Sequence, residues 1–452
     1  MVRASAPATA TPPAAREPAR PPVRALFPAV RASAPATATP PAAREPARPP
    51  VRALFPALAD AAEVYLDSAS TTQKPRPVID AVHRYHSERT ANAGRGTYPW
   101  AGEQTRRVES VRAAMAEFIG AAPDEVVFTG GATAGLNAVA LSWGLANLRE
   151  GDEILYSPRD HASNVYPWQH LRGLLARFGR RIELVPYRVT ALGEADLEDV
   201  AARISPRTRL IAVSHLHHVF GGLTTLEELR GRIDPAIALC FDCSQSGGHL
   251  PVRVRELGAD FAVFAAHKMF GAPGTGVLYC HRRRHSELTP FLPGGNSGVS
   301  LEDSGLVAGA MPQLLEGGTH NLPGILALGA ALEVLDEIGL DAITAHNRAL
   351  TQALIAGLRP IRGVEFTPGP AYAPCETGYG IVSFTVAGIS ATDLGFVLSE
   401  LGFLVRTGAH CVPANRTPAD EDSVRVSTHV YTTSDEIDRF TECVATIAEE
   451  VS

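Results

Sequence analysis

From residue 58 onward, short apolar runs alternate with stretches of helical periodicity. Runs at 125–129, 153–157, 182–186, 210–214, 237–241, 261–265 and 276–280 are brief, β-branched or aromatic, and bounded by Gly, Asp or Pro, as buried strands are. Helical patterns lie between several of them. In 105–119, Val108, Val111, Met115 and Phe118 recur at i, i+3, i+7 and i+10, one face of an amphipathic helix. This alternation predicts an α/β fold with a mostly parallel, seven-stranded sheet covered on both faces. After Asn321 the texture shifts to helices near 325–338 and 345–357, strands near 380–386, 403–407 and 423–427, and a final helix from Ser434. That reads as a smaller α+β domain. The expected division is a large domain over 58–322, its N-terminal segment packing on the small domain, and a small C-terminal domain over 323–452.

The first 57 residues have a different character. Residues 30–57 repeat residues 2–29 without a change, and each copy holds seven prolines, four arginines and one glutamate. So little aliphatic bulk cannot offset the entropy of ordering the chain. Residues 1–57 are therefore expected to be a disordered, semi-extended leader. They lack the apolar stretch of a secretory signal.

Charge sharpens the picture. The two copies carry +6 and the whole chain −7, so the remaining body carries −13. An acidic body opposes a nucleic-acid partner, which needs clustered Lys and Arg on the folded domain. No apolar run approaches the ~20 residues that a bilayer requires. Cysteines at 240, 243, 280, 375, 411 and 443 are scattered and accompany no signal sequence, so a reducing cytoplasm is the expected location. Cys240 and Cys243 have CxxC spacing but no second pair, and i, i+3 on a strand face opposite ways, so no metal site is expected.

Three motifs suggest chemistry. Gly130-Gly131-Ala132-Thr133-Ala134-Gly135 follows a strand and opens a helix, where free amides can cradle an anion; a plain strand-to-helix turn fits equally. Asp242 stands where a strand leaves the sheet, the usual ligand edge of parallel α/β folds, and could instead cap the next helix. Lys268, in Ala266-His267-Lys268-Met269, follows the next strand 26 residues on. A desolvated lysine there can form a Schiff base, although most lysines are simply solvated. Together an amine, an acid and an anion site match what pyridoxal phosphate requires.

Residues 58–452 resemble class V, fold type I pyridoxal-phosphate enzymes, most closely the group II (Suf-type) cysteine desulfurases and selenocysteine lyases. The likeness is carried in order by Tyr65-Leu-Asp-Ser-Ala-Ser70 with Gln73-Lys-Pro75, Asp160-His161 with Asn164 and Pro167-Trp-Gln169, Asp242 with Gln245, His267-Lys268, Gly318-Thr319, Arg406-Thr-Gly408 with His410-Cys411, and Arg425. The resemblance implies a cofactor ring stacked on His161, its nitrogen held by Asp242 and its phenolic oxygen by Gln245. It implies a Schiff base on Lys268 and a phosphate held by Ala132, Thr133, His267 and a partner subunit's Thr319. It also implies a substrate carboxylate on Arg425, assisted by Arg406, and a persulfide on Cys411. Lys268 or His161 would take the substrate's α-proton. A homodimer with composite sites and a sulfur-acceptor protein are implied as well.

Several positions depart from the family pattern. Ala265 replaces a Ser, Ala134 a Glu, and Gly94 and Tyr98 histidines, while His218 stands where relatives place an Asn and could itself serve the cofactor oxygen. A carbon–sulfur lyase or class V aminotransferase acting on another amino acid therefore stays open beside the desulfurase. So does a degenerate, cofactor-binding relic without activity.

Overall fold

The computed structural model of the chain describes residues 51–303, 305–367, 378–413 and 422–451. Its centre is a seven-stranded sheet made of β1 (Val126–Thr129), β2 (Glu153–Tyr156), β3 (Glu183–Pro186), β4 (Thr208–Ser214), β5 (Ala238–Asp242), β6 (Phe261–Ala265) and β7 (Gly276–Cys280). The spatial order is β1-β7-β6-β5-β4-β2-β3, and β7 alone runs antiparallel to its neighbours. Side chains alternate between the two faces, as the pleat demands. Val126 and Phe128 enter one apolar core while Val127 enters the other, and Phe241 and Cys240 divide the same way. Cys243 joins the first core and Cys240 the second, so the CxxC pair is split across the sheet.

The second sheet is antiparallel and four-stranded: β8 (Val364–Phe366), β9 (Ile381–Val386), β10 (Arg406–Gly408) and β11 (Ser423–Ser427), in the order β8-β9-β11-β10. Helices Leu340–Leu358 and Ser434–Val451 supply Leu354, Ile355, Phe440, Val444 and Ile447 to its core. The expected strand 403–407 is two elements. Phe403–Leu404 pairs in parallel with Val64–Tyr65, whereas Arg406–Gly408 pairs with β11. A hairpin of Ser300–Glu302 with Gly305–Val307 was not anticipated.

The leader expectation needs correction at its end. Residues 1–50, like Cys375, lie outside the described residues. Residues 51–57 are ordered: Val51–Leu54 form a 3-10 turn and Pro56–Ala59 a short helix. Phe55 is fully buried, its ring 5.2 Å from that of Phe270 and 4.8 Å from that of Tyr431. Arg52 pairs with Glu436 at 2.8 Å and donates to the Tyr431 carbonyl. The leader's composition is as read, but each copy ends in one apolar cluster, and the second copy's cluster has a pocket to fill.

Candidate active site

A cavity of about 470 Å³ opens at the carboxyl edge of the large sheet, where it meets the small one. Its walls include Gly131, Ala132, Thr133, His161, His218, Asp242, Gln245, Ala265, His267, Lys268, Arg406, Cys411 and Arg425. Thus most residues singled out in the sequence meet in one place. Thr319 does not: it lines a neighbouring cavity of about 270 Å³ with Arg95, Asn296 and Glu316.

Strand ends deliver the first group. β1 ends at Thr129 and the chain turns through Gly131, at φ +143°, into the helix Ala132–Ala138. Glycine is needed opposite as well, because a Cβ on Gly276 would sit 2.6 Å from the Gly131 backbone. The Thr133 hydroxyl lies 2.7 Å from that of Ser163, a cavity residue with no sequence signal beyond its place two after His161. Asp242 closes β5 and its Oδ1 accepts the Ser244 amide at 2.9 Å. Lys268 ends the 3-10 turn after β6, and burial lowers its ammonium to about 8 despite the opposing pull of Asp242. Asp160, buried beneath this edge, is raised to about 8 by desolvation although Asn164 donates to it, with Asp242 adding to the rise. It stays protonated at neutral pH.

The histidines are neutral, for one main reason. Burial lowers His161 and His267 to about 4 and His218 well below its usual value. The Ser163 amide donates to His161 Nδ1 at 3.1 Å, so the ring's proton resides on Nε2. His217 accepts the Val219 and Phe220 amides at Nδ1 and donates from Nε2 to the Arg159 carbonyl, a structural role. Among the described residues, both ring nitrogens of His218 lack protein partners, and its ring centroid is 5.0 Å from that of His161. Gln245 donates Nε2 to the Ala69 carbonyl at 2.9 Å and leaves Oε1 without a partner.

The small sheet delivers the second group. Arg406 and Arg425 are cross-strand neighbours on β10 and β11. Arg425 is 4% exposed and donates to Asp67 Oδ1 at 3.2 Å, to Ser70 Oγ at 3.0 Å and to the His218 carbonyl at 2.9 Å. Its Nε stays unpartnered. Asp67 and Ser70 were quoted in the sequence only as a motif, with no role. His410 and Cys411 follow β10 at φ +50° and +64°, backbone that side chains rarely adopt. His410 donates Nε2 to the Ser423 carbonyl, and the Ala162 amide donates to the Cys411 carbonyl at 2.9 Å. This pins the exposed Cys411 beside the His161 segment.

A family model for aminotransferase class-V matches residues 64–440. A probable cysteine desulfurase of Methanothermobacter thermautotrophicus is 36% identical over 392 residues, covering 85% of this chain and 94% of the relative. The apo cysteine desulfurase of Thermococcus onnurineus NA1 superposes with a TM-score of 0.80 at 30% identity, covering 88% of this chain and 97% of that one. The cysteine desulfurase CsdA (S-sulfonic acid) of Escherichia coli gives 0.79 at 29%, covering 89% and 98%.

Proposed function

The chain belongs to the class-V aminotransferase family, and from that premise we propose that it is a pyridoxal-phosphate-dependent cysteine desulfurase-like enzyme that moves sulfur from L-cysteine to Cys411 and leaves alanine. The cavity fits the cofactor on its own terms. It offers an amine at Lys268, a carboxylate at Asp242, helix-start amides at Ala132 and Thr133, and buried polar atoms on His218 and Gln245 without protein partners. In this reading Ala132, Thr133 and His267 hold the phosphate, while His161 covers the ring. Asp242 holds the ring nitrogen, and His218 and Gln245 face the phenolic oxygen. When bound, the cofactor supplies an aldehyde for the substrate amine and an electron-withdrawing ring for the adjacent carbon.

The chain's own groups divide the remaining work. Arg425, steadied by Asp67 and Ser70, receives the substrate carboxylate, with Arg406 beside it. Lys268 rather than His161 carries the α-proton. With an ammonium lowered to about 8, its amine is available near neutral pH, whereas the Nδ1 lone pair of His161 is taken by the Ser163 amide. Cys411 Sγ, as thiolate, then attacks the substrate sulfur. The substrate's Cβ–sulfur bond breaks, an S–S bond to Cys411 forms, and the substrate Cβ takes up a proton. Overall, L-cysteine and the Cys411 thiol become L-alanine and a Cys411 persulfide.

The exposed position of Cys411 suits transfer onward to a sulfur-acceptor protein. A symmetric homodimer would bring the partner's Thr319 to the phosphate, and the exposed Tyr98, Trp100, Leu301 and Leu306 suit burial between subunits. The proposal includes the division at residues 322 and 323 and a cytoplasmic location.

The observation that carries this reading is Cys411 lining the same cavity as Lys268 and Asp242. A carbon–sulfur lyase expels its leaving group without a protein thiol, so Cys411→Ala separates the two. With excess thiol reductant present to release the persulfide sulfur, we expect that variant to lose sulfide formation from L-cysteine by about a hundredfold or more, while the cofactor's visible absorbance persists. Undiminished sulfide with pyruvate as co-product makes the chain a lyase.

A further inference from the structure

Residues 71–74 cross behind the turn that bears Lys268. There the His267 carbonyl oxygen receives four donors: the Thr72 amide at 3.0 Å, the Thr71 and Thr72 hydroxyls at 3.1 Å each, and Lys74 Nζ at 2.8 Å. A carbonyl oxygen has two lone pairs, so this one is crowded. The Thr72 hydroxyl also accepts the Phe270 amide at 3.0 Å, so the turn is gripped at both ends. Phe270 itself sits at φ +64°.

Lys74 makes the shortest of the four contacts and brings the only charge. It is half-buried, its other donor contact is a 3.4 Å approach to the Thr71 hydroxyl, and among the described residues it has no carboxylate partner. Desolvation lowers its ammonium to about 7, so near neutral pH it donates both as an ammonium and as an amine. A lysine ordinarily keeps its charge in water, and withdrawing it without a counter-ion costs stability. Such a placement calls for a compensating use, and among the described residues the one strong acceptor it reaches is the carbonyl next to Lys268.

We propose that Lys74 is a positioning residue for Lys268. The His267 carbonyl and the Lys268 amide share one rigid peptide plane. Fixing the oxygen with the short Lys74 contact fixes the plane, and with it the direction in which the Lys268 side chain enters the cavity. In its ammonium form Lys74 donates about twice as strongly as a neutral group, which sets it apart from the two threonines. The inference rests on the reading of Lys268 as the cofactor lysine.

The test uses the full, cofactor-loaded chain with Lys74→Met and Lys74→Arg. Visible absorbance reports cofactor bound at Lys268, induced circular dichroism in that band reports its orientation, and the urea midpoint reports folding. Lys74→Met should keep the absorbance, change the dichroism and lower kcat by about ten- to a hundredfold with KM for L-cysteine unchanged. Lys74→Arg should restore most of both. The proposal is overturned by wild-type dichroism and kcat in Lys74→Met, by a lowered urea midpoint with unaltered dichroism, or by an arginine variant as impaired as the methionine one. Failure of the underlying reading shows separately: Lys268→Ala then keeps the visible band of the wild type, and both ideas fall.

Discussion

The two walls of the cavity are built on different terms. Asp242 and Lys268 stand at the ends of central strands, backed by the two cores of the large sheet, and Lys268 is desolvated enough to lose part of its basicity. Cys411 stands on a turn after a three-residue strand, exposed, at positive φ, with a histidine at positive φ before it. The contrast follows from the work each wall would do. A lysine that must give up its proton near neutral pH needs burial. A thiol that must hand sulfur to another molecule needs an exit. Arg425 ties the walls together, since its guanidinium bonds Asp67 and Ser70 at the start of the fold and the His218 carbonyl in the turn after β4.

The largest expected effect falls on the buried wall. Lys268→Ala should lower turnover of L-cysteine by about a thousandfold or more and abolish the lysine-dependent visible band. Cys411 should stay open to alkylation, because its turn is held by Ala162 and Ser423 and not by Lys268. A Cys411 that peptide mapping finds closed to the reagent would show that the walls are not independent.

A smaller effect tests what supports the lysine turn. Phe55→Ala removes a fully buried ring from Phe270, two residues past Lys268, and should cost about 3 kcal/mol of unfolding free energy in urea titrations. Deleting residues 2–29 should cost nothing, because residues 30–57 supply the same sequence in the same register before residue 58. Removing 2–57 should reproduce the Phe55→Ala loss. A deletion of 2–57 as stable as the full chain would mean the docked cluster is idle.

The broadest effect is on acid stability. His161, His215, His249 and His267 are lowered to about 4 and His410 to about 3, chiefly by burial. Unfolded imidazoles bind protons near pH 6.5. Between these values the unfolded chain therefore holds more protons, and the stability present above pH 6.5 is lost as pH falls through about 4. Asp160 acts oppositely, since its contribution is full only below the unfolded carboxyl value of about 4 and is lost as pH rises through about 8, but it is one group against several. Thermal midpoints of the apo chain should drop steeply between pH 6.5 and 4; a flat profile would mean the imidazoles are solvated.

Much of this was legible in the sequence because short continuous apolar runs and strand-end polar residues are local signals. Asp242 and Lys268 could be placed at one edge of a sheet without knowing the sheet's order. What stayed hidden depends on distant or averaged features. Composition over 28 residues concealed the cluster of Val51, Leu54 and Phe55, whose pocket is made by Phe270 and Tyr431 far along the chain. The 403–407 run looked like one strand, but its halves pair with different partners, Val64–Tyr65 and β11. The proton position on His161 is set by an amide two residues on, through a turn that no periodicity reveals. Lys74 acts on a carbonyl 193 residues away.

The central claim is that Cys411 receives the sulfur. Incubating the cofactor-loaded chain with L-cysteine, trapping thiols with an alkylating reagent and sequencing the peptides by mass spectrometry reads this directly. The account predicts one added sulfur atom on the peptide containing Cys411, with alanine as the co-product. Unmodified Cys411 alongside pyruvate and free sulfide would contradict it.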